Sequence, residues 1–344
     1  MKPEETWLLA LADSEGPCNP LPSARLEAKG VADLCELAHA HGVLPAVLRE
    51  VERLLKEQPA LLLARPTAAN ELHSTLNLSR ECSAKRAAMA MFLGAEARRL
   101  ADELAVNGAQ VIVLKGTDFA TRLYSKPGLR FFGDVDLLVR GEDWDRVDRT
   151  LTRLGYEALL PLSVKYSRGD AEVQYQHPAM PGATVEIHDD LVNSSSVRRG
   201  VSVRLEDLPL ERDARGGWQA SPAGLLVMAA VHGAASHSFD KLQQLCDIAQ
   251  AARERAGAID EKSLVECMDK TSAGFCLSVG LDLAARALGD QASARWLERL
   301  NPRGPRRLAR WLVSPETVVK ARGPWGCRKS WRRQTLRRLL KIRR

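Results

Sequence analysis

With 344 residues, 45% of them hydrophobic and 27% charged, the chain has the composition of an ordinary soluble globular protein and is long enough for two domains. No apolar run approaches the length of a membrane-spanning helix, and MKPEETW lacks a signal-peptide core, so a cytoplasmic protein is expected. Cys18, Cys35, Cys82, Cys246, Cys267, Cys276 and Cys327 form no C-x-x-C pair and no His/Cys ligand spacing, which points to reduced thiols and away from a disulfide framework or a zinc site. The formal charge of +7 divides unevenly: residues 302–344 carry 15 Lys/Arg against Glu316 alone, a local +14 that leaves −7 for residues 1–301.

Residues 1–107 read as a helical region. Val31, Leu34, Leu37 and Ala38 recur at helical spacing up to Gly42, a stop, and Val47, Val51, Leu54 and Leu55 repeat the pattern over residues 43–55. A longer helix or helix pair is expected from about Pro66 to Val106, ended by Asn107-Gly108, which tolerate a left-handed backbone.

The region that concentrates chemistry follows. Val111-Ile112-Val113-Leu114 reads as a buried strand, and Lys115-Gly116 as a turn opening a short helix at about Thr117. The free N–H groups of such a helix start can receive a phosphate, with Lys115 and Arg130 adding positive charge at the two ends of the unit. The second strand begins Gly133-Asp134-Val135-Asp136-Leu137-Leu138-Val139. Alternation places Asp134 and Asp136 on one face and Val135, Leu137 and Val139 on the other. Two such carboxylates repel, and a fold keeps both charged only beside cations or strong donors. Mg²⁺, commonly held by one or two carboxylates together with substrate phosphates, meets that need.

In these residues the chain resembles a known family. LKGTDFATRLY followed by PGLRFFGDVDLLV is similar to the nucleotidyltransferase fold shared with DNA polymerase β, kanamycin-type antibiotic adenylyltransferases and nucleotidyltransferase-like toxins. The stretch looks most like the bacterial family of uncharacterised nucleotidyltransferases, and the similarity continues through TVEIHDDL and SPAGLLVMAAVHGAASHSFDKLQQLCDIAQ, over about residues 30–255. The resemblance implies an α+β fold: a polymerase-β-like nucleotidyltransferase core with a mixed β-sheet over residues 108–220, flanked by N-terminal and C-terminal helical regions. It implies a Mg²⁺-dependent enzyme, with one or two ions, that moves an NMP group from an NTP, ATP being the expected donor, to a hydroxyl of an unidentified acceptor.

Asp134 and Asp136 would then hold metal and be catalytic, while Lys115, Gly116, Arg130 and Gly133 would bind the nucleotide. The resemblance also implies a third carboxylate on a neighbouring strand, and Glu186 in Thr184-Val185-Glu186-Ile187-His188 matches it by position as a further metal ligand and catalytic base. His188 is expected behind it, as a support or substrate contact. The chain departs from the wider superfamily in one place: Lys115-Gly116 stands where many members have Gly-Ser. A catalytically silent binding or scaffold protein is therefore one alternative, and a tRNA-modifying toxin is another.

The rest of the core is expected to hold a helix after Gly141 with Trp144, Val147, Leu151 and Leu154 buried, Gly155 as its cap, and strands over Tyr156–Leu162, Glu172–Gln176 and Ala183–His188. Ser194–Gly217 reads as loop. Ser221-Pro222 caps a helical region, residues 221–301, with helices at 222–237, 239–255, 261–271, 274–288 and 291–300. His232 and His237, five residues apart, share a helix face poorly. The tail, residues 302–344, mixes Arg and Lys with Trp311, Trp325 and Trp331. Its end, WRRQTLRRLLKIRR, reads as a cationic amphipathic helix suited to RNA, an anionic membrane surface, an acidic protein or the protein's own acidic body.

Overall fold

The computed structural model describes residues 1–65, 69–302, 305–321 and 330–342. Pro66, Trp325 and Cys327 lie outside the described residues; the other six cysteines are free thiols.

The architecture is α+β, built on a mixed five-stranded sheet. Its strands are β1 (Val111–Val113), β2 (Asp134–Val139), β3 (Glu157–Ala158), β4 (Glu172–Gln176) and β5 (Thr184–His188), in the order β1-β2-β5-β4-β3. Only β2 and β5 run parallel; every other pairing in this sheet is antiparallel. Strand alternation gives the sheet two unlike faces. Val135, Leu137, Val139, Val185 and Ile187 bury one face against Leu93, Ala97, Leu100 and Leu104 of the 38-residue helix Ala69–Val106, and against Trp144, Val147 and Leu151 of helix Trp144–Arg153. On the other face Ile112 and Leu138 join the apolar core of the C-terminal helices, leaving the start of β2 and the end of β5 to polar residues.

That second core is shared between distant parts of the chain. Trp7, Leu34, Val47 and Leu54 pack in the same cluster as Leu226, Leu245 and Leu281, so the first and last helical regions enclose the sheet together. Partly buried Arg253 ties them further: its Nε lies 2.6 Å from Asp290 and its guanidinium also pairs with Asp13. Ser221 accepts a hydrogen bond from Gly224 N, with Pro222 at the first helical position, as the cap signal requires.

Several expectations are corrected. The helix after β1 begins at Lys115, two residues early, because Leu114 already takes the extended N-cap conformation. Residues 156–162 hold only the two-residue β3; Leu162–Arg168 is a helix that Pro161 precedes and Gly169 ends in the left-handed region. The expected loop 194–217 contains helix Ser195–Arg198 and the strand Leu210–Arg212, paired with Trp218–Ala220. Helix 222–237 is α-helical only to Val231 and continues as a π-turn, His232–Ser236, and the next helix starts at Leu242 rather than 239, after Ser238 and Phe239 at positive φ.

The described part of the basic tail docks on the protein itself. Leu336 and Leu340 of helix Trp331–Leu340 are buried, and Arg333 donates to the carbonyls of Ser238, Phe239 and Thr317 at 3.0, 2.9 and 2.9 Å. A Cβ on Gly200 would come within 2.1 Å of the Leu340 carbonyl oxygen, so backbone meets backbone there and only glycine fits. Of the destinations open to an amphipathic basic helix, the described part takes the protein's own body through Leu336 and Leu340, while Trp311 and Trp331 stay exposed. Among the described residues no helix is long and apolar enough to cross a membrane.

Candidate metal and nucleotide site

The polar end of the sheet forms the floor of a cavity of about 960 Å³, within the range of small-molecule sites. The parallel register of β2 and β5 sets Asp136 opposite Glu186 and Leu138 opposite His188, so a two-residue alternation on each strand puts the three polar groups on one face. Antiparallel β4 extends the rows, with Gln174 beside Glu186 and Glu172 beside His188. His188 Nε2 lies 3.0 Å from Asp136 Oδ1 and 3.7 Å from Glu186 Oε2, its Nδ1 is 3.8 Å from Glu172, and Gln174 Nε2 donates to Glu186 Oε1 at 3.0 Å.

Asp136, Glu186 and His188 each present a ligand atom within 4.8 Å of the others. Two hard carboxylate oxygens and an imidazole nitrogen fit a divalent cation: the carboxylates suit Mg²⁺, and the added nitrogen is equally at home on Mn²⁺ or Zn²⁺. Asp134 shares their strand face but stands half-buried at the mouth of the site, outside this tight group. His188, expected as a support, is therefore geometrically a candidate ligand.

The electrostatics express the crowding of acids. The charge of Asp136, then burial, raises the carboxyl of Asp134. Burial, then Asp136 and Glu172, pushes Glu186 up to about 8. Burial works on Asp136 in the same direction, yet Lys115 and His188 overcome it and hold that carboxyl well below the usual range. Lys115 Nζ sits 2.7 Å from Asp136 Oδ1, and despite burial the surrounding acids keep it protonated.

The other expected nucleotide contacts fall as follows. Gly116 lies in the first turn of its helix, where a Cβ would press to 3.0 Å on the Phe132 ring; Gly133 is exposed on the cavity wall. Arg130 also lines the cavity, but its fork is committed. Nε and Nη2 donate to the two oxygens of buried Asp247 at 2.8 and 2.9 Å, and Nη1 lies 3.3 Å from the Gly116 carbonyl. It braces the turn in place of offering a free guanidinium to phosphate.

Other cavity residues were not legible in the sequence. His232 and His237 meet there edge to face with ring centroids 4.5 Å apart. In an α-helix a five-residue spacing would turn them apart; the wider π-turn between them brings them onto one side. Glu172 had a weak signal, the polar alternation of EVQYQ, while Arg86, Lys241 and Arg337 come from three distant segments and had none.

Fold and site together define an α+β protein with an acidic, metal-competent centre under a cover of helices. The chain belongs to the family described as uncharacterised nucleotidyltransferase, whose model matches residues 27–289. Comparison with curated proteins gives no match.

Proposed function

We propose that this protein is a divalent-metal-dependent nucleotidyltransferase that moves a nucleoside monophosphate from an NTP, ATP being the first donor to test, to a hydroxyl of an acceptor. The observation that carries the reading is the convergence of Asp136, Glu186 and His188 from two parallel strands on the floor of a large cavity, with Asp134 beside them. The pairing of an Asp-x-Asp strand with a neighbour bearing a third carboxylate supports a polymerase-β-like core.

Asp134, Asp136, Glu186 and His188 would hold Mg²⁺, which when bound neutralises developing phosphate charge and aligns the triphosphate. The acceptor oxygen attacks the α-phosphorus in line, one P–O bond forms, the α–β bridging bond breaks, and pyrophosphate leaves. Glu186 takes the hydroxyl proton as a positioned carboxylate. The amides at the start of helix Lys115–Arg122 would face the phosphates, Lys115 adds positive charge from its place on Asp136, and Arg130 serves them indirectly by fixing Gly116. Most of the rate would come from positioning and charge neutralisation.

Mass spectrometry of cell extract incubated with the protein, Mg²⁺ and labelled ATP, then each other NTP, tests the proposal. A labelled adduct absent with Asp134→Asn and Asp136→Asn is expected; an adduct formed equally well by both variants rules the mechanism out.

One observation favours a second reading. The Lys115 ammonium already gives Asp136 a cation, so a silent member of the fold could keep the acid cluster without metal. Calorimetry separates the two: metal-dependent NTP binding lost in Asp136→Ala belongs to the enzyme, and no NTP binding to the scaffold.

A further inference from the structure

This inference rests on the nucleotidyltransferase reading. A triphosphate needs cations that carboxylates have not already neutralised, and two of those expected from the sequence are committed: Arg130 to Asp247 and Lys115 to Asp136. Three others line the same cavity and, among the described residues, have no carboxylate at ion-pair distance: Arg86, Lys241 and Arg337. Arg86 has neutral company, with Nη2 3.0 Å from His39 Nε2 and its guanidinium 5.6 Å from the Phe131 ring centre. Lys241 precedes helix Leu242–Ala252 as its N-cap.

Arg337 is the least expected of the three, because it belongs to the docked tail. Its helix is held by Arg333, one turn earlier, whose bonds reach the Ser238 and Phe239 carbonyls. Those two residues have φ of 53° and 57°, a conformation that side-chain-bearing residues adopt at a cost, and they close the π-turn carrying His232 and His237. Buried Leu336 and Leu340 fix the rotation of the helix. Residues four apart share a helix face, so anchoring Arg333 presents Arg337 to the cavity.

We propose that Arg86, Lys241 and Arg337 form the cradle for the triphosphate of the donor nucleotide, which makes the carboxy-terminal helix a substrate-binding element. Long-range charge alone would not distinguish Arg337 from its exposed neighbour Arg338, which does not line the cavity. A cradle would.

The full chain is titrated calorimetrically with Mg²⁺-ATP and, separately, with inorganic tripolyphosphate, which has no base or sugar. Arg337→Gln and Lys241→Gln are each expected to weaken both ligands about tenfold, the scale of one charge-assisted hydrogen bond, while Arg338→Gln leaves both unchanged and thermal melting of all three stays near that of the parent. Equal weakening by Arg338→Gln, or parental affinity in both Arg337→Gln and Lys241→Gln, overturns the cradle while leaving the proposed activity standing. A parent protein that binds neither ligand overturns both.

Discussion

Arg130 and Asp247 meet in a two-pronged ion pair, 2.8 and 2.9 Å long, with both side chains almost wholly buried and the Tyr124 hydroxyl donating to the same carboxylate at 2.7 Å. The pair links the segment leading into β2 with the helix Leu242–Ala252, so the acid-bearing strand and the helical cover are held in register by two nearly buried charges. Removing either partner strands the other. Arg130→Met or Asp247→Leu alone should cost about 3–5 kcal/mol, and the double variant clearly less than the two losses added. Urea unfolding of the four proteins measures this; additive losses would show that the pair is not coupled.

Lys115 is the cation of the acid cluster when no metal is present. Lys115→Met leaves Asp134 and Asp136 to repel one another, so its melting temperature in EDTA should fall below that of the parent, and added Mn²⁺ or Mg²⁺ should recover more for the variant than for the parent. If the metals raise both proteins by the same amount, Lys115 does not neutralise the cluster.

Glu186 is raised by burial and by Asp136 and Glu172, so the metal-free protein holds a proton on it near neutrality. Metal ligation needs the carboxylate. Divalent-ion affinity should therefore climb as pH rises through neutrality and level off once the raised carboxyl has ionised, with a proton released on binding that calorimetry in buffers of different ionisation enthalpy detects. Glu186→Gln should lose the released proton; release that persists unchanged assigns it elsewhere.

Asp118 lies buried on the first helix of the core, with its Oδ2 unpartnered and Arg122 3.5 Å away from the other oxygen. Burial, only partly offset by Arg122, raises its carboxyl from 3.8 to about 6. Below pH 4 the folded and unfolded chains both carry the proton and nothing is lost. Between 4 and 6 the unfolded chain ionises first, so stability falls by up to about 3 kcal/mol, and above 6 the loss is constant. Asp118→Asn should lack that fall, giving a flatter profile over pH 4–6 in denaturant titrations than the parent; parallel profiles would remove Asp118 as the cause.

Short-range pattern made much of the centre readable. The period of two in DVDLLV and TVEIH placed Asp136 and Glu186 on polar faces, and glycines at 42, 108 and 155 marked ends that the backbone does turn through at positive φ. The family follows from the same residues and is matched over 27–289. What misled was also local: Tyr156–Leu162 has a strand-like composition, but Leu162–Arg168 coils into a helix beside the sheet, and the two histidines looked ill-spaced because an α-helical period was assumed across a π-turn.

Local pattern was enough for most of the elements, the acid face of β2 and the family, because alternation, caps and turn residues act within a few positions of one another. Tertiary structure alone decided that Arg130 is claimed by Asp247, that His188 stands among the ligand atoms, and that Arg337 of a tail with several open destinations turns into the cavity. The first two depend on which buried groups meet across more than fifty residues of chain and the third on where Arg333 anchors its helix, and no periodicity encodes those choices: desolvation makes them only once the core has closed.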